Sequence, residues 1–256
     1  MGNYSSNQKK KTGGRPIAPH LSAKSPFAIK EAYNSIRTKL IFTGKGEKCP
    51  IFAVTSSLAS DGKTTNAVNL AISFAIADQR VLLIDADMRK PSIHRHFECD
   101  CKNGLSEVLA GLTTEINLRE TDVEHLTILT AGQIPPNPAE LLSTEKMDTL
   151  LEYVRGYFDY VIIDTPPVNI VTDATVLAEK VTGFVFVTQS GKNHIRDISD
   201  ALHQLEDMNA NIVGMVLNDP TNEAENHYGY RYKRYYRSNG YRYGPDVSAR
   251  SEKKEG

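Results

Sequence analysis

Short runs of aliphatic and β-branched residues recur through the middle of the chain: Ile51–Ser56, Val81–Asp85, Leu126–Thr130, Tyr160–Asp164, Gly183–Thr188 and Ile212–Asn218. Most are continuous rather than alternating in polarity, as expected of strands covered on both faces in a parallel sheet. Between them lie segments with helical spacing, 25–42, 63–78, 145–157, 172–180 and 193–208. In the second of these, Val68, Ala71, Ile72, Ala75 and Ile76 fall on one stripe. Strands alternating with helices predict βαβ units and a doubly wound, mostly parallel α/β sheet. In such sheets ligands bind at the carboxyl ends of the strands.

The pattern fades at both ends. Residues 1–24 hold five basic residues, no acid, and Gly13, Gly14, Pro16 and Pro19. They read as a flexible basic arm. Residues 221–256 contain a single branched aliphatic side chain, Val247, and read as a disordered tail. The folded domain is expected over 25–220. Apolar residues make up 40% of the 256 and charged residues 24%, which suits a globular domain. No run approaches the roughly 18 apolar residues of a membrane span, and the start of the chain lacks the apolar core of a secretion signal. A net charge of −1 gives no case for bulk nucleic-acid binding. Cys49, Cys99 and Cys101 form no disulfide framework and read as reduced thiols.

Candidate chemistry begins at the end of the first strand. Ser57-Leu58-Ala59-Ser60-Asp61-Gly62-Lys63-Thr64-Thr65 leads from that strand into a helix. Backbone N–H groups of such a loop wrap a phosphate chain, and the helix start adds a positive dipole end. Ser60, Asp61, Gly62, Lys63, Thr64 and Thr65 are the expected nucleotide contacts. Lys63 would reach the β- and γ-phosphates, and the Thr64 hydroxyl would face Mg²⁺. The loop departs from the usual phosphate-loop pattern at its first glycine, which is Ser57 here.

Two further strands end in carboxylates. The second runs Leu82-Leu83-Ile84-Asp85-Ala86-Asp87-Met88-Arg89-Lys90-Pro91, and Asp85 and Asp87 share one side while the chain stays extended. They suit Mg²⁺ or a proton acceptor. Arg89 and Lys90 are expected to pair with phosphates or with a neighbouring subunit. The fourth strand ends in Asp164, followed by Thr165-Pro166-Pro167. Thr64, Asp85 and Asp164 are the expected metal ligands, for Mg²⁺ with ATP or GTP.

The tail carries a different signal. Tyr228, Tyr230, Tyr232, Tyr235, Tyr236, Tyr241 and Tyr243 are seven of the 12 tyrosines, interleaved with five basic residues and no acid. With no aliphatic partners, core packing does not explain them. Stacking on single-stranded nucleic acid is one use for such a segment. A set of phosphate acceptors is the other, each phosphate adding roughly −1.5 to −2 charges. Its basic residues would steer it toward an acidic, carboxylate-lined cleft or hold it on an acidic surface.

Taken together, Leu83–Pro91, Pro135-Pro136-Asn137-Pro138-Ala139-Glu140-Leu141-Leu142, Val161–Pro167 and the tyrosine cluster resemble the bacterial tyrosine kinases of the capsule and exopolysaccharide type, the CpsD/CapB group. The resemblance spans about residues 25–243 and implies a phosphate-loop NTPase fold without eukaryotic kinase signatures. It implies ATP and Mg²⁺ as cofactors, with Lys63, Asp85, Asp87 and Asp164 catalytic. The tail tyrosines become acceptors, phosphorylated in trans between subunits. It also implies a homo-oligomer in the form of a ring, contacted through Glu31, Asn34 and Arg37, where Asn34 stands in place of a family arginine. A membrane adaptor of the polysaccharide co-polymerase type is the expected activator and a tyrosine phosphatase the expected antagonist. The expected location is cytoplasmic, at the inner face of the membrane, with a role in capsule or exopolysaccharide synthesis and export. Asp87 is the expected proton acceptor. The second reading is a positioning ATPase of the MinD/ParA type. Those proteins usually carry an extra lysine where this chain has Leu58. An iron–sulfur carrier would need a Cys-x-x-Cys that Cys99-Asp100-Cys101 does not supply.

Overall fold

A computed structural model describes residues 20–218. The expected tail tyrosines and most of the basic arm lie outside these residues. Within them the chain runs α1 (Phe27–Thr43), β1 (Ile51–Ser56), α2 (Lys63–Ala75), β2 (Val81–Asp85), α3 (Ile93–His96), α4 (Leu105–Ala110), β3 (Arg119–Glu120), β4 (Leu126–Leu129), α5 (Pro138–Ser143), α6 (Glu145–Arg155), β5 (Tyr160–Asp164), β6 (Gly183–Gln189), α7 (Ile195–Asp207) and β7 (Ile212–Asn218). The strands form one seven-stranded sheet in the order β3-β4-β2-β5-β1-β6-β7. All pairings are parallel except β3 with β4. The sheet is therefore the doubly wound, mostly parallel one that the apolar runs predict.

Alternation along the strands splits the core in two. Ile51, Ala53, Leu82, Ile84, Val161 and Ile163 point into a core closed by α4, α6 and α7. Phe52, Val54, Val81, Leu83 and Ile162 point into a core closed by α1 and α2. Because side chains alternate faces, Asp85 and Asp164 continue the second set and turn toward α2. That face is where the helix begins with Lys63 and Thr64. The register pairs Asp85 directly with Asp164 across β2 and β5, so the two carboxylates sit about one strand spacing apart, ~4.8 Å between backbones. β1 lies on the other side of β5, with Val54 opposite Asp164. The strand order thus brings the phosphate loop and both carboxylate ends to three adjacent strand tips.

The helix expected over 172–180 is reduced to a 3₁₀ turn at Thr175–Leu177. Thr172, Thr175 and Val176 are β-branched and disfavour helix. Asp173 is fully buried and held by Arg89 at 2.8 Å, which ties this stretch down as a loop. Short α3, α4, α5 and β3 carry no long periodic signal and are additions to the predicted elements. α5 opens with Pro138 at its first turn, where a missing N–H costs nothing. Packing also starts ahead of residue 25. Leu21 is buried, and its N–H donates to Asn69 Oδ1 at 2.7 Å. Among the described residues, no helix is long and apolar enough to cross a membrane.

Candidate nucleotide and phosphoryl-transfer site

The loop between β1 and α2 is shaped by backbone conformation and by an internal network. Gly62 has φ of 93°, a left-handed conformation that glycine adopts without a Cβ penalty. A Cβ there would also lie 2.2 Å from Asn218 Nδ2, so both strain and close approach call for glycine. Ser60 takes a positive φ of 67° as well. Asp61 is fully buried, and its Oδ2 accepts from the Leu58 N–H at 3.1 Å and the Ser57 hydroxyl at 3.3 Å. Asn193 Nδ2 donates to the same oxygen at 2.7 Å, and Lys192 Nζ donates to Oδ1 at 2.9 Å. Lys192 also reaches the Ala59 carbonyl at 2.6 Å, and Asn218 Nδ2 donates to the Asp61 carbonyl at 2.9 Å. Ser57, in place of the usual first glycine, is therefore a hydrogen-bonded strut of the loop. Asp61, expected among the nucleotide contacts, holds the loop through its buried side chain.

Lys63 and Thr64 meet the carboxylates. Lys63 Nζ lies 2.7 Å from Asp87 Oδ2 and 3.4 Å from Asp164 Oδ1. Thr64 donates its hydroxyl to Asp164 Oδ2 at 2.6 Å. Burial alone would lower the Lys63 pKa, but the charges of Asp164 and Asp87 outweigh it and raise the pKa above that of ordinary lysine. Asp164 is pushed up to about 6, by burial first, while Lys63 and the Thr64 hydroxyl pull it back. Asp85 is pushed up to about 7, by burial and then by the charge of Asp164. Its Oδ2 accepts from the Ser92 and Ile93 N–H groups at 2.9 and 3.0 Å. Its Oδ1 is buried with no hydrogen-bond partner among the described residues.

That orphan oxygen is the observation that bears on a metal. Asp85, Asp164 and the Thr64 hydroxyl form an all-oxygen donor set, suited to a hard cation. No cluster of three or more His, Cys, Asp or Glu able to hold a metal occurs among the described residues. Magnesium needs none, because it usually keeps waters and substrate phosphates as ligands and takes only one or two carboxylates.

The loops enclose an open cleft of about 690 Å³. Ser60, Gly62, Lys63, Thr64, Thr65 and Asp87 line its floor. Of the three carboxylates only Asp87 faces it. The exposed rim is not the carboxylate-lined mouth that the basic tail led us to expect. It is formed by Arg89, Lys90 and Arg95 on one side and Ile170 on the other, with buried Pro166 and Pro167 lining the cleft beneath Ile170. The acids are buried because each completes a bond to Lys63, Thr64 or a backbone N–H. Arg89, one of the expected phosphate or subunit contacts, instead pairs through two N–H donors with buried Asp173 at 2.8 and 2.9 Å.

Glu31, Asn34 and Arg37 do share one stripe of α1, half-buried. Asn34 Nδ2 donates to Glu31 Oε1 at 2.9 Å. Arg37 donates to the Ser73 carbonyl on α2. Tyr33 on the same helix is buried and donates to Asn66 Oδ1 at 3.1 Å, while Asn66 Nδ2 donates to the Gly62 carbonyl at 2.9 Å. α1 is thereby bonded to the start of the phosphate loop helix. Lys192, Asn193, Asn218, Ser92 and Asp173 were not anticipated from sequence. Lys192, Asn193 and Asn218 fall at the ends of β6 and β7, so the strand-end rule was the one signal for them.

A family model described as an AAA domain matches residues 51–212. The tyrosine-protein kinase YwqD of Bacillus subtilis is 35% identical over 224 residues, covering 87% of this chain and 94% of its own. The chain belongs to the bacterial tyrosine-protein kinases. The kinase domain of the Escherichia coli tyrosine kinase ETK superposes on this family member with a TM-score of 0.71 at 34% identity, covering 80% of this chain and 84% of that domain. The septum site-determining protein MinD of Pyrococcus horikoshii, solved with Mg-ADP, shares the fold at 22% identity and a TM-score of 0.57. For the kinase that likeness concerns fold alone.

Proposed function

We propose that this kinase transfers the γ-phosphoryl group of ATP to tyrosine hydroxyls, its own tail tyrosines among them, and so regulates capsular or exopolysaccharide synthesis. The observation that carries the reading is Lys63 held between Asp87 and Asp164 at the start of α2, in a chain of this family. The loop amides and Lys63 bind and orient the phosphates. Mg²⁺, held by Thr64, Asp85 and Asp164, supplies charge neutralisation at the phosphates when bound. A tyrosine phenol has a pKa of roughly 10 and needs a proton acceptor at neutral pH. Asp87 is the carboxylate open to the cleft, so it takes that role in preference to Asp85. Phosphates that draw Lys63 toward themselves loosen its pair with Asp87 and leave that carboxylate freer to accept the phenolic proton. The bond from the γ-phosphorus to its bridging oxygen breaks, one to the phenolic oxygen forms, and ADP leaves.

In this reading Tyr228, Tyr230, Tyr232, Tyr235, Tyr236, Tyr241 and Tyr243 enter a neighbouring subunit's cleft, and Glu31, Asn34 and Arg37 contribute to the contact between subunits. Family membership supports an adaptor of the polysaccharide co-polymerase type at the inner membrane face and an opposing phosphatase. The deciding experiment is incubation of the full chain with γ-labelled ATP and the adaptor's cytoplasmic segment, followed by phosphoamino-acid analysis and phosphosite mapping. Label on the tail tyrosines is the expected result. Release of free phosphate with no labelled tyrosine would select the positioning-ATPase reading instead.

A further inference from the structure

The cleft contains two kinds of positive charge. On the floor, Lys63 is compensated by Asp87 and Asp164, and on the rim Arg89 is compensated by Asp173. Beside it, Lys90 and Arg95 are exposed and make no ion pair within 4.0 Å among the described residues. Asp87 is the one acidic side chain among the cleft-lining residues, and Lys63 already occupies it. His96 also lines the cleft, but burial, then the neighbouring His20 and Arg95, hold its pKa down at about 4. It stays neutral near pH 7, so the free charge of the rim is that of Lys90 and Arg95.

The backbone that carries both cations is anchored to the floor. The Lys90 N–H donates to Asp87 Oδ1 at 3.0 Å and to its carbonyl at 3.1 Å, one tight turn from the proton acceptor. Arg95 rides on α3, whose start is fixed by the bonds from Ser92 and Ile93 to Asp85. Thr64 marks the metal side of the phosphate chain, and Ser92 Oγ lies 3.3 Å from its hydroxyl. In the reading above Asp87 takes the phenolic proton, so Lys90, bonded to Asp87 through its backbone, borders the approach of the acceptor hydroxyl. Across from it, exposed Ile170 above the buried Pro166 and Pro167 offers an apolar edge for a tyrosine ring.

We propose that Lys90 and Arg95 make this cleft select acceptor tyrosines that carry an anionic group beside them, whether a carboxylate or an existing phosphotyrosine. The inference rests on the kinase reading above and names its substrate class. It has a consequence for the tail, whose tyrosines sit among five basic residues. The unmodified tail is repelled by the rim and accepts its first phosphate slowly. Each phosphate then adds roughly −1.5 to −2 charges and improves the segment as a substrate for the next transfer. Self-phosphorylation should accelerate as it proceeds.

The test uses the full chain and three synthetic peptides with one acceptor tyrosine each, flanked by glutamine, by glutamate or by phosphotyrosine. Steady-state phosphorylation and fluorescence anisotropy of labelled peptides are both measured. The expected order of KM and of Kd is glutamine above glutamate above phosphotyrosine, with roughly three- to tenfold between the extremes. In the Lys90→Gln/Arg95→Gln double variant the order should collapse, the three peptides giving the same KM and the same Kd. The proposal is overturned by equal constants for the three peptides, by a preference that survives the double variant, or by a change confined to KM for ATP. If no peptide is phosphorylated, the kinase reading fails, and anisotropy still decides the rim by the same order.

Discussion

The floor and the rim of the cleft share one stretch of chain, Asp87 to Arg95, yet they treat charge in opposite ways. On the floor each ionised group is buried against a counter-charge or a backbone N–H. On the rim Lys90 and Arg95 stand in water. Charges taken out of water interact strongly and demand fixed partners. Charges left in water are weak, screened and free to meet whatever arrives. In the roles proposed above this becomes a division of labour, in which the floor sets the rate of transfer and the rim sets which acceptor is favoured.

The largest expected effect comes from breaking the floor. Lys63→Met should abolish detectable tyrosine phosphorylation while circular dichroism stays native, because Lys63 faces the cleft rather than either apolar core. It also leaves three carboxylates without their common cation. Phosphotyrosine at the unsubstituted level in that variant would dismiss the site.

Next come the carboxylates. Asp85→Asn, Asp87→Asn and Asp164→Asn should each lower turnover by about two orders of magnitude or more. Asp87→Asn should keep nucleotide affinity best, since it contributes no metal ligand in our assignment. Fluorescent ADP titration with Mg²⁺ separates the three. Loss of Mg-nucleotide binding in Asp87→Asn alone would move the proton-acceptor role elsewhere.

A smaller loss tests the frame under the floor. Asp61→Ala leaves the donors of Lys192, Asn193 and Ser57 without their acceptor, at a cost of about 1–3 kcal/mol. The melting temperature should fall and KM for ATP should rise more than kcat falls. An unchanged KM for ATP would show that the loop keeps its shape without this network.

Protonation offers a gentler probe. Asp85 is raised from 3.8 to about 7 in the folded protein, so the folded state binds its proton more tightly than the unfolded chain. Stability of the nucleotide-free protein should therefore fall as pH rises from 3.8 toward about 7. Asp85→Asn removes the buried charge. It should raise the melting temperature by about 2–4 °C at pH 8, and by much less at pH 5, where Asp85 already holds its proton. Calorimetry at the two pH values checks it, and an equal shift at both would contradict the sign. The smallest effect belongs to the rim. Raising salt from about 50 to 500 mM shortens the screening length and should erase the preference for anionic peptides, with kcat on the glutamine peptide unchanged.

Some of this was legible in the residues and some was not. Continuous apolar runs predicted β1, β2 and β5, because strands buried on both faces admit few polar residues. Lys63, Thr64 and the terminal aspartates could be read because strand, loop and helix follow one another directly. The α4 and α5 helices are too short to show a period, and 172–180 showed one that buried Asp173 overrides. The parts played by Lys192, Asn193 and Asn218 depend on β6 and β7 lying beside β1, and a linear sequence does not state strand order. The charge of the rim was misjudged for a related reason. Counting carboxylates at strand ends does not reveal which of them fold inward.

Asp85 stands opposite Asp164 because two parallel strands keep step, and this has a bearing on how the gene can change. Side chains on a strand alternate faces, so one extra codon between Val161 and Asp164 would turn that aspartate toward the other core and away from α2. No graded series of intermediates connects the two arrangements. Exposed turns such as the one around Leu112 absorb an added residue at little cost. Lineages of this kinase should therefore differ in length at such turns while the spacing within β2 and β5 stays fixed to the codon.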